Sequence, residues 1–403
     1  MSSLFFIVFI LISAGISYYL YTKVNTKQTA NLKELYSEGL DMLVSGKRYS
    51  AYNNFKEIIE KDSNNIMAYI RLGQVLRESG NYTKAIKIHK NLLLRKKITS
   101  YEMIELHKNL SLDYFKIENY KNAIKECKEI LKINEKNDWA LRQIVKLYKK
   151  NDDWGNASKY LKLFFEYSNK KDDDKLALYK IHQAKTNIKN KDYHAAKEEL
   201  NKAINLNKEN SLIYYFLAKT NSEESNEIYE KAVEIEKQGL ENYENQDKYN
   251  NYMKEAKNIL SKAIPNWTHF CEIDPDKSWL VFPSLKDALF VLDRYPEMES
   301  ILNQLHDNNP DNIEILTNLA DYHSHKGEYG KAIDIIDIAI EKDKNAYIAK
   351  LFKMKLILQK SNNEKLLNDL DDLINSLLKN NRFKILNNSE ISEDVKNLFE
   401  LNE

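Results

Sequence analysis

Residues 72–92 read LGQVLRESGNYTKAIKIHKNL, and this stretch decides the fold. Within it, Gly73 and Gly80 lie seven positions apart, the aromatic Tyr82 follows, and Ala85 comes three positions later. A small residue in the middle of one helix lets a second helix approach closely, and Ala85 serves the same crossing from the other side. Tyr82 is placed to fill the gap between neighbouring helix pairs. The stretch therefore predicts a hairpin of two short helices.

The same glycine step recurs at Gly39 and Gly46, and the distance from Gly39 to Gly73 is 34 residues. A 34-residue period with small, small, aromatic and alanine positions in this order resembles the tetratricopeptide-repeat family. A single helix pair cannot bury both of its faces, so neighbouring pairs must stack. We therefore expect an all-α protein whose repeats form a superhelical solenoid with a concave groove.

The composition agrees with a helical body. The 403 residues include only nine glycines and five prolines, too few turn-formers for a sandwich, a barrel or a glycine-loop nucleotide fold. Sixty-one basic residues face sixty acidic ones, and the resulting net charge of +1 removes the electrostatic case for a nucleic-acid binder. Cys127 and Cys271 are the two cysteines, which excludes a disulfide framework and a multi-cysteine zinc site.

The repeat pattern can be followed along most of the chain. The predicted organisation is a transmembrane anchor at 1–22, a linker at 23–31, tetratricopeptide repeats 1–6 at 32–238, a divergent insert at 239–284, C-terminal repeats with a capping hairpin at 285–378 and a polar tail at 379–403. The sixth repeat begins at Leu217-Ala218 and resumes at Tyr229, so we expect it to be shortened.

The insert at 239–284 breaks the 34-residue period. It carries four large aromatic residues, Trp267, Phe270, Trp279 and Phe282. One interpretation is a partner-docking insert or a hinge between two sub-arrays. The alternative, which we favour, is a decayed repeat whose aromatic side chains pack against the solenoid.

The N-terminal stretch from Leu4 to Leu20 has no charged residue, and eleven of its residues are Leu, Ile, Phe or Val. These side chains favour membrane insertion by roughly 3 to 6 kcal/mol before the polar residues subtract from it. Extended through Thr22, the segment is long enough to cross a bilayer. A cleaved signal peptide is the alternative, but no basic residue precedes the apolar run.

The charges beside this segment predict its orientation. Lys23, Lys27 and Lys33 follow the span and no basic side chain precedes it. The positive-inside rule then places the body in the cytoplasm. We therefore expect a single-pass protein of the inner, cytoplasmic membrane.

The sequence contains no catalytic constellation that indicates an enzyme. The P-loop, nucleophile-elbow and H-E-x-x-H motifs do not occur. His323 is expected at a core position and His325 at an outward one, so both are predicted to be structural. His269 and Cys271 lie two positions apart, but a metal site there needs further ligands from elsewhere. We therefore predict a non-enzymatic protein with no cofactor and no metal.

The groove face is predicted to be basic. Positions two, five, nine, twelve and thirteen of the first helix in each repeat line the concave side, and repeats two to five are rich in lysine and arginine there. The candidate partner-binding residues are Arg71, Arg77, Lys108, Lys116, Arg142, Lys146, Lys149, Lys185 and Lys189. An extended acidic peptide or an anionic membrane surface suits this set. The alternative is that these are ordinary solvated side chains.

The far end of the array is predicted to be more acidic. The positions of the eighth unit that correspond to the basic set hold Glu314, Asp321 and His325. A chain that is neutral overall is thus expected to be polarised along its groove.

A narrower resemblance lies in the second and third repeats. The run from Leu72 to His89 continues into an insertion around Lys96 to Thr99 and then into a third repeat near Leu110. His89 stands where the second helix usually holds an aromatic residue, and we expect it to be a packed histidine. This run, with an apolar N-terminal segment followed directly by repeats, resembles the lipopolysaccharide assembly protein B family of Gram-negative bacteria.

That resemblance implies an inner-membrane adaptor that brings the lipid A deacetylase to the FtsH protease and so limits lipopolysaccharide production. Tethering of this kind acts through effective concentration rather than through new chemistry. The resemblance covers residues 1–165 well and the remainder only in architecture. It departs at the C-terminus, where the family carries a rubredoxin-like zinc module. Here Ile385 and Asn388 stand where the first cysteine pair falls, and no cysteine follows, so we expect this chain to lack the metal site of that module.

Two other classes of function remain open from the sequence. One is a general tetratricopeptide co-chaperone that receives protein C-termini through a clamp of lysine and asparagine residues. Lys108 and Lys146 match that clamp, but the asparagines are missing. The other is an enzyme with its site in the 239–284 insert, which the lack of convergent polar residues disfavours.

Overall fold

The computed structural model describes residues 13–19, 31–241, 243–343 and 346–359, together with positions 367–368, 370–371, 374, 395 and 398. Every regular element in this part of the chain is a helix, which confirms the all-α class. The chain divides into two compact units, Met1–Lys170 and Lys171–Glu403. This division falls inside the run of repeats predicted over residues 32–238.

The first unit consists of helix pairs in which sequence neighbours pack on each other. Its helices are α1 (31–44), α2 (Arg48–Lys61), α3 (Ile66–Glu78), α4 (Tyr82–Leu92), α5 (Ser100–Lys116), α6 (Tyr120–Ile133), α7 (Asp138–Lys150) and α8 (Trp154–Ser168). The first helices of successive pairs also meet, as α3 does with α5. This is the stacking that the repeat period predicts.

The second unit begins with the same arrangement and then changes. Its helices are α9 (Asp173–Lys189), α10 (Tyr193–Leu206), α11 (Ser211–Gln238), α12 (Tyr243–Ser261), α13 (Ala263–Ile273), a 3₁₀ helix (Pro275–Leu280), α14 (Phe282–Val291), α15 (Glu297–Asn308), α16 (Ile313–His325), α17 (Tyr329–Lys342) and α18 (Tyr347–Gln359). Helix α9 contacts α11 and α16 contacts α18, so alternate helices stack here as well.

The crossing within each pair is set by two residues that lie 16 positions apart. A Cβ atom placed on Gly39 would lie 2.9 Å from the Phe55 ring, and one placed on Gly73 would lie 2.3 Å from His89 Nε2. In the third pair Ser111 takes the small position, and its Oγ lies 3.0 Å from Cys127 Sγ. In the first two pairs, a glycine thus faces a large ring, and in the third pair two medium-sized side chains face each other. The volumes are matched across each crossing, as dense packing requires.

The turns inside the pairs share one backbone feature. In six of the pairs, the second residue before the second helix has a positive φ, between 54° and 82°, whether or not it is glycine. These residues are Gly46, Gly80, Glu118, Asp152, Lys191 and Gly327. A left-handed residue closes the first helix and redirects the chain, so the turn geometry is kept even where glycine is missing.

Helix α5 begins with a reciprocal cap. The Thr99 backbone N–H donates to Glu102 Oε2 over 2.8 Å, and the Glu102 N–H donates to Thr99 Oγ1 over 3.2 Å. The cap satisfies two backbone donors at the end of the insertion around residues 96–99. It therefore gives α5, which carries several candidate residues, a defined start.

The sixth repeat differs from the expected shortened hairpin. Instead of a turn between Ala218 and Tyr229, the chain continues as the single 28-residue helix α11, and α12 packs along it. The residues of α11 include neither glycine nor proline, so no residue interrupts helix propagation there.

The aromatic residues of the predicted insert belong to a core. Trp267, Phe270, Trp279 and Phe282 are all at most 8% exposed. Three of them, Trp267, Phe270 and Phe282, lie in one cluster with Leu302 of α15 and Leu319 of α16. The insert is therefore helical and packed, as the decayed-repeat interpretation expects.

Residues 13–19 form a helical segment, and the rest of the anchor predicted over 1–22 lies outside the described residues. Among the residues that the structure describes, no helix has the length and apolarity needed to span a bilayer. Of the predicted linker only residue 31 is described, and of the predicted tail only positions 395 and 398.

Candidate functional site

Each of the helices α5 and α7 places a lysine over an aromatic ring of the other helix. Lys108 Nζ on α5 lies 5.5 Å from the centre of the Trp139 ring on α7. In return, Lys146 Nζ on α7 lies 5.1 Å from the centre of the Phe115 ring on α5. Each contact is worth about 0.5 to 1 kcal/mol at a site of this exposure. The two contacts hold both lysine head groups at defined positions on one surface.

Arg142 extends this surface along α7. Its guanidinium carbon lies 4.9 Å from the centre of the Phe164 ring, and its Nε lies 3.0 Å from Asp138 Oδ2. Lys149 Nζ lies 5.6 Å from the centre of the Trp154 ring. We call the surface formed by Lys108, Phe115, Trp139, Arg142, Lys146 and Lys149 the α5–α7 face. It carries four cations, each placed over a ring.

Carboxylates lie at the margin of the α5–α7 face. Glu105 is 3.6 Å from the Arg71 guanidinium and 3.3 Å from Lys108 Nζ. Arg71 is half-buried and also hydrogen-bonds Gln74 over 2.9 Å. The face is therefore less uniformly basic than the lysine and arginine pattern predicts, because Glu105 and Asp138 neutralise part of it. Lys116 lies exposed at the end of α5.

Arg77 is not a groove residue, and that prediction was wrong. Its side chain is buried, with Nη1 2.8 Å from Asp113 Oδ1 and 3.1 Å from the Asn109 side-chain oxygen. The reason is that α3 stacks on α5, which brings a buried carboxylate opposite the arginine. A buried guanidinium needs such a partner, since an unpaired buried charge is strongly destabilising.

The same carboxylate binds His89. Asp113 Oδ2 lies 2.6 Å from His89 Nδ1, and His89 Nε2 lies 3.1 Å from the Ile70 carbonyl oxygen. His89 and Asp113 are fully buried, so His89 is a packed histidine as predicted. We call Arg77, His89 and Asp113 the buried triad. It links α3, α4 and α5 through one aspartate.

Lys185 and Lys189 belong to the second unit, on α9. Lys185 is half-buried and Lys189 is exposed. The structure therefore divides the nine predicted groove residues between two units, with seven in the first and these two in the second.

The predicted acidic end contains an aspartate whose negative charge is offset by basic neighbours. Asp321 Oδ2 lies 2.8 Å from Lys286 Nζ, and Asp321 Oδ1 lies 3.4 Å from His325 Nε2. Burial alone raises the pKa of Asp321, but hydrogen bonds from His325 and Lys286 outweigh it and lower that pKa to about 2. We call Lys286, Asp321 and His325 the cleft triad. The expectation of an acidic patch at Asp321 does not hold, because Lys286 offsets its charge.

Lys286 and Asp321 line a cleft of about 310 Å³ in the second unit. Its apolar wall includes Phe282, Tyr295 and Tyr322. The cleft therefore combines aromatic surface with one fixed ion pair.

Two family models, each described as a tetratricopeptide repeat, match residues 68–99 and 179–210. The first match contains Gly73, Ala85 and His89, and the second contains Ala184 and Ala196. The chain contains tetratricopeptide repeats at these two places.

The chain is similar to lipopolysaccharide assembly protein B of Escherichia coli strain K12, at 25% identity over 134 residues. The same match is found for the protein of that name from Escherichia coli O157:H7. The match covers 33% of this chain and 34% of the relative, so the chain matches about a third of the relatives' length.

Solved structures of repeat proteins are similar to larger parts of this chain, but with low TM-scores. A structure of MamA from Desulfovibrio magneticus RS-1 is 17% identical, covers 44% of this chain and 96% of that chain, and has a TM-score of 0.32. YrrB, described as a tetratricopeptide-repeat protein with an unusual peptide-binding site, is 17% identical, covers 47% of this chain and 96% of that chain, and has a TM-score of 0.33.

The histidines singled out from the sequence have carboxylate partners, and both cysteines are buried. His323 is 1% exposed, with Nδ1 2.7 Å from Glu328 Oε2, whereas the His325 side chain is 52% exposed, as predicted for both. His269 pairs with Glu272 over 2.8 Å, while burial raises the pKa of Cys271 to about 12. Within the described residues, no three potential metal ligands come together.

Sequence reasoning missed the partners of the basic residues. Trp139 and Phe115 lie 31 positions from the lysines that they contact, and Asp113 lies 36 positions after Arg77. In a repeat protein with a 34-residue period, residues at that separation fall on adjacent first helices. These partners can be found by searching the sequence for opposite charges, or for a cation and an aromatic ring, that lie 31 to 36 residues apart.

Proposed function

We propose that this protein is a non-enzymatic scaffold that binds an acidic segment of a protein partner on the α5–α7 face. The observation that carries the proposal is the reciprocal stacking of Lys108 on Trp139 and Lys146 on Phe115. Long basic side chains normally lose rotamer freedom when they bind. Here the rings already restrict the two head groups, so less freedom remains to be lost on binding.

The chemistry of this face suits an extended acidic peptide better than a bare ion. Aromatic rings offer flat contact area between the charges, and aromatic and arginine residues are enriched where binding energy concentrates. Glu105 and Asp138 border the cations and disfavour a partner whose carboxylates are placed opposite them. The face is therefore suited to a partner with a particular spacing of acidic residues.

We further propose that the scaffold acts in lipopolysaccharide assembly at the inner membrane, held there by residues 1–22 with its body in the cytoplasm. The local similarity to lipopolysaccharide assembly protein B supports this, as does the apolar composition of residues 4–20. Its clients are then the lipid A deacetylase and the FtsH protease, brought together by tethering. A general co-chaperone that binds protein C-termini is the second candidate, which the lysines at 108 and 146 favour.

A charge-reversal variant tests the face. We expect Arg142→Glu, Lys146→Glu and Lys149→Glu together to reduce crosslinking of the native partner at least ten-fold, because three attractive charges become repulsive. The measurement is crosslinking of the full chain in native membranes, followed by identification of the bound proteins. Helicity should stay unchanged, since Arg142 and Lys146 are exposed and Lys149 is only half-buried.

The matched control is Lys84→Glu, Lys87→Glu and Lys90→Glu, which reverses three exposed lysines of α4 in the same unit. The control should capture the partner as the unaltered chain does. Equal capture by both triple variants contradicts the proposed face. Recovery of FtsH or a lipid A enzyme supports the lipopolysaccharide role, whereas recovery of heat-shock chaperones alone supports the second candidate.

A further inference from the structure

Two residues of the C-terminal tail pack into the core of the second unit. Leu398 is 4% exposed and Val395 is half-buried, and both are helical. They lie in the apolar cluster built by α9, α10 and α11. Leu398 thus loses nearly all contact with water, although the tail around it is polar.

The apolar cluster includes positions that line the groove in a tetratricopeptide repeat. Leu178 and Ile181 lie six and three positions before the small residue Ala184, and Leu212 lies six positions before Ala218. On α5 of the first unit, the positions that correspond to Leu178 and Ile181 hold the charged residues Glu105 and Lys108. The first helices of repeats five and six therefore present an apolar surface where repeat three presents a charged one.

The tail has the pattern of a segment that fits such a surface. Ile391, Val395 and Leu398 follow the spacing i, i+4 and i+7, which places apolar residues on one side of a helix. Residues 388–403 contain five acidic residues and one lysine. On helix α9, Lys185 and Lys189 are opposite in charge to the acidic residues of the tail.

We propose that the C-terminal tail, through Val395 and Leu398, is an intramolecular occupant of the apolar surface of α9 and α11 and inhibits binding there. A client with an acidic amphipathic helix must displace it. This inference concerns a different surface from the α5–α7 face and stands without that proposal.

Competition from the tail lowers the apparent affinity of the protein for a client. A tethered segment acts at an effective concentration of about a millimolar or more when its linker reaches the site. The apparent dissociation constant of a client is raised by the inverse of the fraction of chains whose surface is open. A surface that is open in one chain in ten binds ten-fold more weakly than a permanently open one.

The test uses a fluorescent synthetic peptide of residues 388–403 as the probe. It is titrated against the full chain and against the full chain with Val395→Asp and Leu398→Asp, and anisotropy reports binding. We expect the double variant to bind the peptide at least ten-fold more tightly than the unaltered chain. The two aspartates break the apolar contact of the resident tail and leave the surface intact.

The matched control is Ser392→Asp with Asn397→Asp, which adds the same charge to the same segment away from the apolar spacing. It should bind the probe as weakly as the unaltered chain does. Equal binding by the unaltered chain and the double variant overturns the proposal. So does the absence of binding to a double variant whose helicity is unchanged.

A second measurement covers a double variant that fails to fold. In the unaltered chain, the backbone amides at Val395 and Leu398 should exchange with solvent at least ten-fold more slowly than unstructured amides do. Unprotected amides there overturn the docking. A mass by light scattering that doubles with concentration, and returns to one chain in the double variant, shows docking onto a second copy and overturns the intramolecular assignment.

Discussion

The two units each contain an aspartate shared between a histidine and a longer basic side chain. In the first unit Asp113 lies 2.6 Å from His89 and 2.8 Å from Arg77. In the second unit Asp321 lies 2.8 Å from Lys286, with His325 3.4 Å away. The chemical composition of the buried triad and the cleft triad is thus nearly the same.

Their burial differs, and this decides what each triad does. The Asp113 and His89 side chains are 0% exposed, whereas those of Asp321 and His325 are 23% and 52% exposed. Removing one partner of a buried ion pair leaves an uncompensated charge away from water, while an exposed pair contributes little. The buried triad therefore holds three helices together, and the cleft triad sets the charge of a surface.

The strongest test of this difference is Asp113→Asn. The substitution keeps the shape of the side chain but leaves Arg77 and His89 without their carboxylate. We expect it to lower the free energy of unfolding of the first unit by about 3 to 5 kcal/mol. Denaturant unfolding followed by circular dichroism measures the change, and hydrogen exchange of the α3 and α5 amides locates it.

The control is Asp138→Asn, which breaks the exposed pair with Arg142 on α7. We expect a change below about 0.5 kcal/mol, because an exposed pair of this kind is largely screened by water. Similar losses for the two variants contradict the claim that burial decides the outcome.

The buried triad also depends on the absence of a side chain at Gly73. A Cβ atom there would lie 2.3 Å from His89 Nε2, and the ring cannot move without breaking its contacts with Asp113 and Ile70. We expect Gly73→Ala to destabilise the first unit by about 2 to 3 kcal/mol, as an overpacked core does. Thermal unfolding of the full chain measures it.

Removing the ring should reverse the sign of that effect. In a chain that already carries His89→Ala, adding Gly73→Ala should stabilise the first unit by up to about 1 kcal/mol, because alanine favours a helix over glycine. A further loss of stability in that background contradicts a clash with His89.

Much of the fold follows from local pattern. Gly46 and Gly80 mark turns, because glycine adopts a positive φ without strain, and Gly39 and Gly73 mark close crossings, because a Cβ there would meet Phe55 or His89. The long helix α11 was not expected, since the repeat period suggested a turn that no glycine or proline enforces. The helices and contacts inside the 239–284 insert could not be predicted from the repeat pattern either, because its packing depends on contacts with residues far along the chain.

The candidate site is less accessible to sequence reasoning. The position of Arg77 in its repeat indicates the groove, but the stacking of α3 on α5 buries it against Asp113. Asp321 reads as part of an acidic end until Lys286, 35 positions earlier, is found beside it. Periodicity places a residue on a helix face, whereas its charge environment depends on which faces meet.

The cleft triad should make the second unit sensitive to acid. The pKa of Asp321 is lowered to about 2 in the folded protein, below its ordinary value of 3.8. The ionised carboxylate therefore stabilises the fold above about pH 4, and this contribution is lost as the pH falls towards 2. We expect it to be on the order of 1 to 2 kcal/mol, less than the losses expected for Asp113→Asn and Gly73→Ala, because the site is partly exposed. The free energy of unfolding of the unaltered chain minus that of Asp321→Asn should be constant above pH 5 and shrink below pH 4. A difference that stays constant down to pH 2 means that Lys286 and His325 do not stabilise this carboxylate.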